Sequence, residues 1–189
     1  VDAVAVCLLH SYVNPDHERR VAAAVRDNLP EIAISVSSEL LPEMREYERA
    51  TSTTANAYVL PIIDGYLARL NMEMPDRNVA APIFIMLSSG GISTTDVVRK
   101  FPVRICESGP AAGAVTAASI GRLIEAPRVL SFDMGGTSTD VCVILENTPK
   151  LTADSVLEGY PVMVPTLDVH SIGAGGGSIA SIDDVGSLI

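Results

Sequence analysis

The sequence predicts an α/β fold, and three observations carry that reading. Near the start, an apolar run at residues 4–9 and a second in "EIAISVSS" flank an amphipathic helical stretch, the strand, helix, strand order of a parallel unit. A third apolar run, "IFIML" at residues 83–87, is short and bounded by turn residues, as buried strands are. From Arg128 onward, two strand-like runs enclose a Gly-Gly turn and make a hairpin.

The first strand is apolar on both faces, so it belongs inside a sheet whose neighbours other chain must supply. It opens "VDAVAVCLLHSY" with no initiator Met and no polar lead-in, and the sequence is expected to be an excised piece of a longer subunit. Asn14 follows as an N-cap, with Pro15 in the first helical turn and Asp16 and Glu18 facing the positive end of the dipole. Val21, Val25 and Leu29 form the apolar stripe of that helix. After the second strand, residues 43–70 are helical in pattern, with Val59, Ile62, Tyr66 and Leu70 on one face and Pro61 as a kink or a break, which allows for two helices. The charges of "PEMREYERA" are expected on the solvated face. "MPDRNVAAP" is a loop, and "SSGG" at residues 88–91 closes the strand before it with a turn.

"ESGPAAGAVTAASIGRLI" begins a helix with Ser108 as cap and Pro110 in its first turn, and its small residues allow close packing. A domain boundary is placed near Pro127, dividing residues 1–126 from 127–189. Beyond it come the strand "RVLSFD", the Gly-Gly turn, the strand "STDVCVILEN" and, at "TPKL", the start of a third antiparallel strand. The tail holds a second glycine-rich loop in "DVHSIGAGGGSIASID". No internal repeat or low-complexity linker interrupts the 189 residues.

Composition narrows the function classes. Thirteen Lys plus Arg against 23 Asp plus Glu give a net charge of −10 with no basic cluster, which argues against a nucleic-acid partner. Cys7, Cys106 and Cys142 are few, far apart and flanked by apolar residues, so they read as buried thiols in a reducing compartment. No apolar run approaches about 18 residues and no signal-peptide pattern is present, so no membrane partner and a cytoplasmic location are expected. His10 ends a strand and His17 lies in a first helical turn, and both read as structural.

The stretch "DMGGTSTD" carries the chemistry. Gly135 and Gly136 lack side chains, so their N–H groups can turn outward together and admit a phosphate. Thr137, Ser138 and Thr139 add hydroxyl donors. Asp133 and Asp140 would repel a bare phosphate, and they make sense with a divalent ion or its waters in between. The loop therefore predicts a Mg-nucleotide, against the plainer alternative of an ordinary hairpin turn. It is not a Walker loop, lacking Gly-Lys-Ser/Thr, nor a dinucleotide fingerprint, since a hairpin replaces the strand and helix. Asp168 and His170, two apart on an extended strand, point to the same side and with one more carboxylate would suit a divalent metal; alternatively His170 hydrogen-bonds a loop carbonyl. Gly173, Gly175, Gly176 and Gly177 either bring backbone close to a nucleotide or substrate, or make a flexible turn.

In order and spacing, "LLHSYVNPDHERR", "SSELLPEMREYERATSTTANAYVLP", "SSGG", "ESGPAAG", "DMGGTSTDV" and "DVHSIGAGGGSIA" resemble the hydantoinase A / 5-oxoprolinase family of the actin-like ATPase superfamily. The resemblance spans nearly the whole chain. It implies a ribonuclease H-like fold of the actin, sugar-kinase and heat-shock ATPase type, present here in part, as a mixed sheet with flanking helices. Two such halves would hold ATP between them, each giving one Asp-x-Gly-Gly-Thr hairpin, of which this sequence has the second. On that resemblance residues 1–126 are the end of the N-terminal half plus connecting helices, and residues 127–189 start the second ATPase half.

By matching positions, Asp133 and Asp140 are the implied catalytic and Mg-holding pair, with Gly135, Gly136, Thr137, Ser138 and Thr139 binding the phosphates. Gly109 and Pro110 match a small-residue helix start near the cleft, Gly175, Gly176 and Gly177 match a cofactor-binding loop, and Asp168 and His170 a further metal or amide-positioning pair. The implied activity is ATP-dependent opening of a cyclic amide or imide (hydantoin, N-methylhydantoin or 5-oxoproline) by phosphoryl activation. A hydantoinase B-type partner subunit or domain and an oligomeric assembly come with it, and the isolated fragment is expected to be inactive. Three alternatives stay open: an ATP-dependent ketone carboxylase subunit, a sugar or acid kinase, and a non-catalytic nucleotide-binding regulatory module.

Overall fold

The computed structural model describes residues 1–153, 155–157 and 159–188. Two compact units divide the chain: Val1–Ser108 with Leu151–Thr166, and Gly109–Lys150 with Leu167–Ile189.

In the first unit, β1 (Ala3–Val6), α1 (Asp16–Asn28) and β2 (Ala33–Val36) form the expected strand, helix, strand unit, with β1 and β2 parallel and Val6 opposite Val36. The Asn14 side chain accepts the Asp16 N–H at 3.0 Å, but Pro15 rather than Asn14 takes the N-cap position of α1, since the Pro15 carbonyl accepts the first helical bond from the Arg19 N–H at 3.0 Å. β1 stops at Val6, short of the predicted end at residue 9. Side chains capture the Leu8 peptide from both sides: its N–H donates to Glu18 Oε1 at 2.7 Å, and its carbonyl accepts from Arg49 Nη2 at 2.6 Å. That peptide cannot join a ladder, and the chain turns away through His10 at φ 58.

Glu18, in the first turn of α1, is fully buried. Its carboxylate accepts from Leu8 N–H, Ser37 Oγ at 2.6 Å and Ser38 N–H at 2.9 Å. Burial pushes its pKa up, but the donors of Ser37, Leu8 and Ser38 outweigh that and hold it below the usual carboxylate value. Since the unfolded chain binds this proton at a higher pH than the native one, the stabilisation is present above the unfolded value of about 4.3 and is lost as pH falls through it toward the lower native value. Melting temperatures measured from pH 7 to pH 3.5 are expected to fall on the acid side, and less steeply in Glu18→Gln than in the wild type.

Pro61 does not divide the next helical stretch. After α2 (Ser37–Leu40), a single helix α3 runs Glu46–Asp76 with Pro61 and Pro75 inside it. A proline removes one backbone bond, and α3 packs along β1 and β2 over its first half, which offsets that loss. The face it buries is also unexpected. Ile62 and Tyr66 are 71% and 53% exposed, while Arg49, Ser52, Thr53, Asn56, Ala57 and Leu67 point inward. Hydrogen bonds make the polar face viable: Asn56 donates to Ser35 Oγ at 3.0 Å and to the Lys100 carbonyl at 3.2 Å, and accepts the Val103 N–H at 3.2 Å. Arg49, read as solvated, is fully buried, with its guanidinium 5.5 Å from the Tyr12 ring centroid.

The predicted strand at 83–87 is β3 (Phe84–Met86), and the "SSGG" turn leads back into β4 (Ile92–Thr94), antiparallel to it. Helix α4 (Thr95–Lys100) and a 3-10 turn at Pro102–Ile105 follow. Of the three cysteines expected inside, Cys142 is buried, Cys7 is half-buried and Cys106 is exposed. In the 3-10 turn before Cys106, Pro102 and Val103 take the inward positions and leave the thiol outside.

The second unit lays α5 (Ser108–Leu123) on an antiparallel sheet of β5 (Arg128–Met134), β6 (Thr139–Leu145), β7 (Thr148–Pro149) and β12 (Val169–Ile172). Ala111, Ala114 and Ala118 let α5 settle closely over Cys142, Ile144 and Leu167, the core of this unit. β5 and β12 flank β6 in the order β12-β6-β5. The third strand expected at "TPKL" is two residues long, as Pro149 has no N–H to extend it, and the chain passes into β8 (Leu151–Thr152). β9 (Ser155–Leu157) and β10 (Tyr160–Val162) form a short hairpin in the first unit, and β11 (Thr166–Leu167) pairs with β8. Among the described residues no helix is long and apolar enough to cross a membrane.

Candidate functional site

The β5–β6 hairpin places Asp133 directly opposite Asp140, and Met134 opposite Thr139. Cross-strand partners share a sheet face, so the two carboxylates stand side by side at the mouth of the turn. They share the pleat with Cys142 and Ile144, and this is the face that α5 covers. A Cβ added at Gly113 of α5 would lie 3.4 Å from Asp133 Oδ2, so glycine there leaves the helix close to the acid without crowding it. The Asp133 carboxylate has no protein partner among the described residues, while one oxygen of Asp140 accepts the hydroxyl of Ser171. Ser171 lies opposite Asp140 on β12, which sets Asp133, Asp140 and Ser171 in one row across three strands.

The turn between the carboxylates is closed by Gly135 N–H donating to the Ser138 carbonyl at 2.9 Å. The N–H groups of Gly136 and Thr137 make no hydrogen bond among the described residues, and these two residues are exposed. This is the donor pair that a phosphate oxygen can use. Thr139 is buried, and its Oγ1 donates to the Ala174 carbonyl at 2.6 Å.

The second glycine-rich loop docks on the first through backbone. Gly176 and Gly177 donate their N–H groups to the carbonyls of Gly135 and Gly136 at 2.9 and 3.0 Å. A Cβ at Gly175 would sit 2.7 Å from Thr137 N and 2.8 Å from Gly135 O, so only glycine permits this approach. Gly175 and Ser178 close the loop on itself, with Gly175 N–H donating to Ser178 Oγ at 3.0 Å and Ser178 N–H to the Gly175 carbonyl at 2.9 Å. The N–H groups of Gly176 and Gly177 thus hold the backbone of the β5–β6 turn, while nothing lies within 4 Å of a Cβ at Gly173 or Gly109.

Asp168 and His170 are brought together but apart from the first pair. His170 Nε2 is 3.7 Å from Asp168 Oδ1, and Lys150 Nζ is 3.2 Å from Asp168 Oδ2. Opposite Val141, His170 points to the sheet face away from Asp140 and is 80% exposed. A divalent ion there would have to displace the Lys150 ammonium. Among the described residues no group of three or more His, Cys, Asp or Glu could cage a metal. Asp133 and Asp140 nevertheless suit Mg2+, which keeps several waters and takes one or two carboxylates together with phosphate oxygens.

Ser171, Ser178 and Gly113 are the site residues that the motif reading missed. Their roles depend on strand register and loop docking, for which spacing along one chain has no signal.

A family model described as Hydantoinase/oxoprolinase matches residues 49–188, and one described as Hydantoinase/oxoprolinase N-terminal region matches residues 1–29. The caprolactamase subunit alpha of Pseudomonas jessenii is 35% identical over 100% of this chain and 27% of that protein. The 5-oxoprolinase of Saccharomyces cerevisiae is 34% identical over 96% of this chain and 14% of that protein. The crystal structure of the ATP-dependent caprolactamase from Pseudomonas jessenii matches with a TM-score of 0.86 at 34% identity, over 100% of this chain and 27% of that one. Nucleotide-free acetone carboxylase matches with a TM-score of 0.83 at 25% identity, over the same shares. The mixed α/β arrangement is common to all three structures, and this chain spans less than a third of the length of these relatives.

Proposed function

Because the chain belongs to the hydantoinase/oxoprolinase family, we propose that it is part of an ATP-dependent amidohydrolase that opens cyclic amides or imides such as hydantoin, N-methylhydantoin or 5-oxoproline. The observation that carries this reading is the pairing of Asp133 and Asp140 across a turn whose Gly136 and Thr137 N–H groups are open. In this proposal residues 127–189 start the second half of a ribonuclease H-like ATPase of the actin type, and residues 1–126 end the half before it. A hydantoinase B-type subunit or domain completes the ring-opening site; the caprolactamase relative is itself named as a subunit.

Amides resist hydrolysis because nitrogen lone-pair donation stabilises the carbonyl and the amine is a poor leaving group. Transfer of the γ-phosphoryl of ATP to the amide oxygen releases ADP and leaves an O-phosphorylated imidate; a first water adds to its carbon, the ring C–N bond breaks from that tetrahedral adduct with the nitrogen leaving as the protonated amine and an acyl phosphate remaining, and a second water cleaves the acyl phosphate to carboxylate and phosphate. The work of the protein is positional and electrostatic. The N–H groups of Gly136 and Thr137 and the hydroxyls of Thr137 and Ser138 hold the phosphoryl oxygens. Asp133 and Asp140 hold Mg2+ and its waters, and that ion, when bound, offsets phosphate charge. Thr139 keeps the loop in place through Ala174 rather than touching the nucleotide.

The test uses the complete gene product that carries this segment, with its partner subunit, and measures ADP release from Mg-ATP with each of the three amides in turn. Stimulation by one amide is expected. ATP turnover indifferent to every amide but dependent on a ketone and bicarbonate would move the reading to an ATP-dependent carboxylase, which the likeness to acetone carboxylase favours as the second choice.

A further inference from the structure

We propose that Ser171 is a positioning residue for Asp140, orienting its carboxylate toward the divalent ion of the bound nucleotide; this rests on the reading of residues 133–140 as the phosphate loop. Asp140 has two oxygens with different surroundings. Oδ1 accepts the Ser171 hydroxyl, and Oδ2 has no protein partner among the described residues. A carboxylate fixed by one oxygen presents the other in a defined direction, which is how an outer hydrogen-bonding group orients a metal-binding acid.

The strand that carries Ser171 is itself fixed to the phosphate loop. β12 pairs with β6 from Val169↔Cys142 to Ile172↔Thr139, and it runs straight into the second glycine-rich loop. There the Ala174 carbonyl takes the Thr139 hydroxyl, and the Gly176 and Gly177 N–H groups take the carbonyls of Gly135 and Gly136. One continuous segment, residues 171–178, therefore holds the acid at one end of the turn and the backbone donors at the other in a single frame. Ser171 is the only one of its contacts that reaches a charged group of the phosphate loop among the described residues.

The test compares Ser171→Thr with Ser171→Val in the complete gene product. The two side chains have nearly the same shape and differ in the hydroxyl. Mn2+ binding in the presence of a non-hydrolysable ATP analogue is read by electron paramagnetic resonance, with the melting temperature measured alongside and Asp140→Asn as reference. The expected result is metal affinity in Ser171→Thr within a few-fold of wild type and a loss of about 10- to 100-fold in Ser171→Val at an unchanged melting temperature. Equal metal affinity in the two variants, with a loss in Asp140→Asn, would overturn the role of Ser171 and leave the phosphate loop standing. A Ser171→Val protein that unfolds where Ser171→Thr does not would assign Ser171 to stability and overturn the positioning role. Wild-type metal binding in Asp140→Asn would overturn the phosphate-loop reading itself.

Discussion

Replacing Asp133 by alanine is expected to reduce amide-stimulated ATP turnover by at least about 10²- to 10³-fold, the usual cost of removing one group that stabilises transferring charge. Asp133 is exposed and its carboxylate makes no hydrogen bond or ion pair with the other described residues, so its loss should leave the fold intact. Circular dichroism and melting temperature of Asp133→Ala should match the wild type while steady-state ADP release collapses. An Asp133→Ala protein with full turnover would remove this residue from the mechanism.

Gly175→Ala is the second large effect, and it acts through backbone. The new Cβ would meet Thr137 N at 2.7 Å, Gly135 O at 2.8 Å and Gly136 C at 2.8 Å, all main-chain atoms that cannot rotate out of the way. The two loops must part, breaking the bonds from Gly176 and Gly177 that shape the turn. A cost of about 1 to 3 kcal/mol in stability is expected from overpacking, together with a loss of nucleotide affinity of at least about 10-fold as the N–H groups of Gly136 and Thr137 lose their frame. Gly173→Ala supplies the control, since nothing lies within 4 Å of its Cβ. Nucleotide titration of both variants by calorimetry separates them; equal affinities would show that the docking of the loops does not matter for binding.

Much of this architecture could be read along the chain because the signals are local. The parallel unit at the start, the small-residue helix and the Gly-Gly hairpin each announce themselves through contiguous apolar runs, caps and turn residues. What escaped depends on partners far away in sequence. Arg49 looked solvated because its neighbours are charged, yet the acceptor that draws it inward is the Leu8 carbonyl, 41 residues earlier. The inward face of α3 is polar because Ser35, Lys100 and Val103 supply partners for Asn56, so hydrophobic periodicity pointed to the wrong side. At the site, spacing alone paired Asp133 with Asp140, since a tight turn joins them. The same reasoning had no means of finding Ser171, whose contact with Asp140 exists only once β12 settles in register against β6. Gly175, Gly176 and Gly177 were legible as a glycine-rich loop, whereas their hold on Gly135 and Gly136 was not.

The central claim is that residues 133–140 bind the phosphates of a Mg-nucleotide. Hydrogen exchange at the amides of Gly136 and Thr137, followed in the complete gene product with ATP analogue and Mg2+, with the analogue alone and with neither, tests it most directly. Slowed exchange at these two amides only when nucleotide and Mg2+ are both present is the predicted result. Nucleotide binding that slows exchange elsewhere and leaves Gly136 and Thr137 unchanged would contradict it.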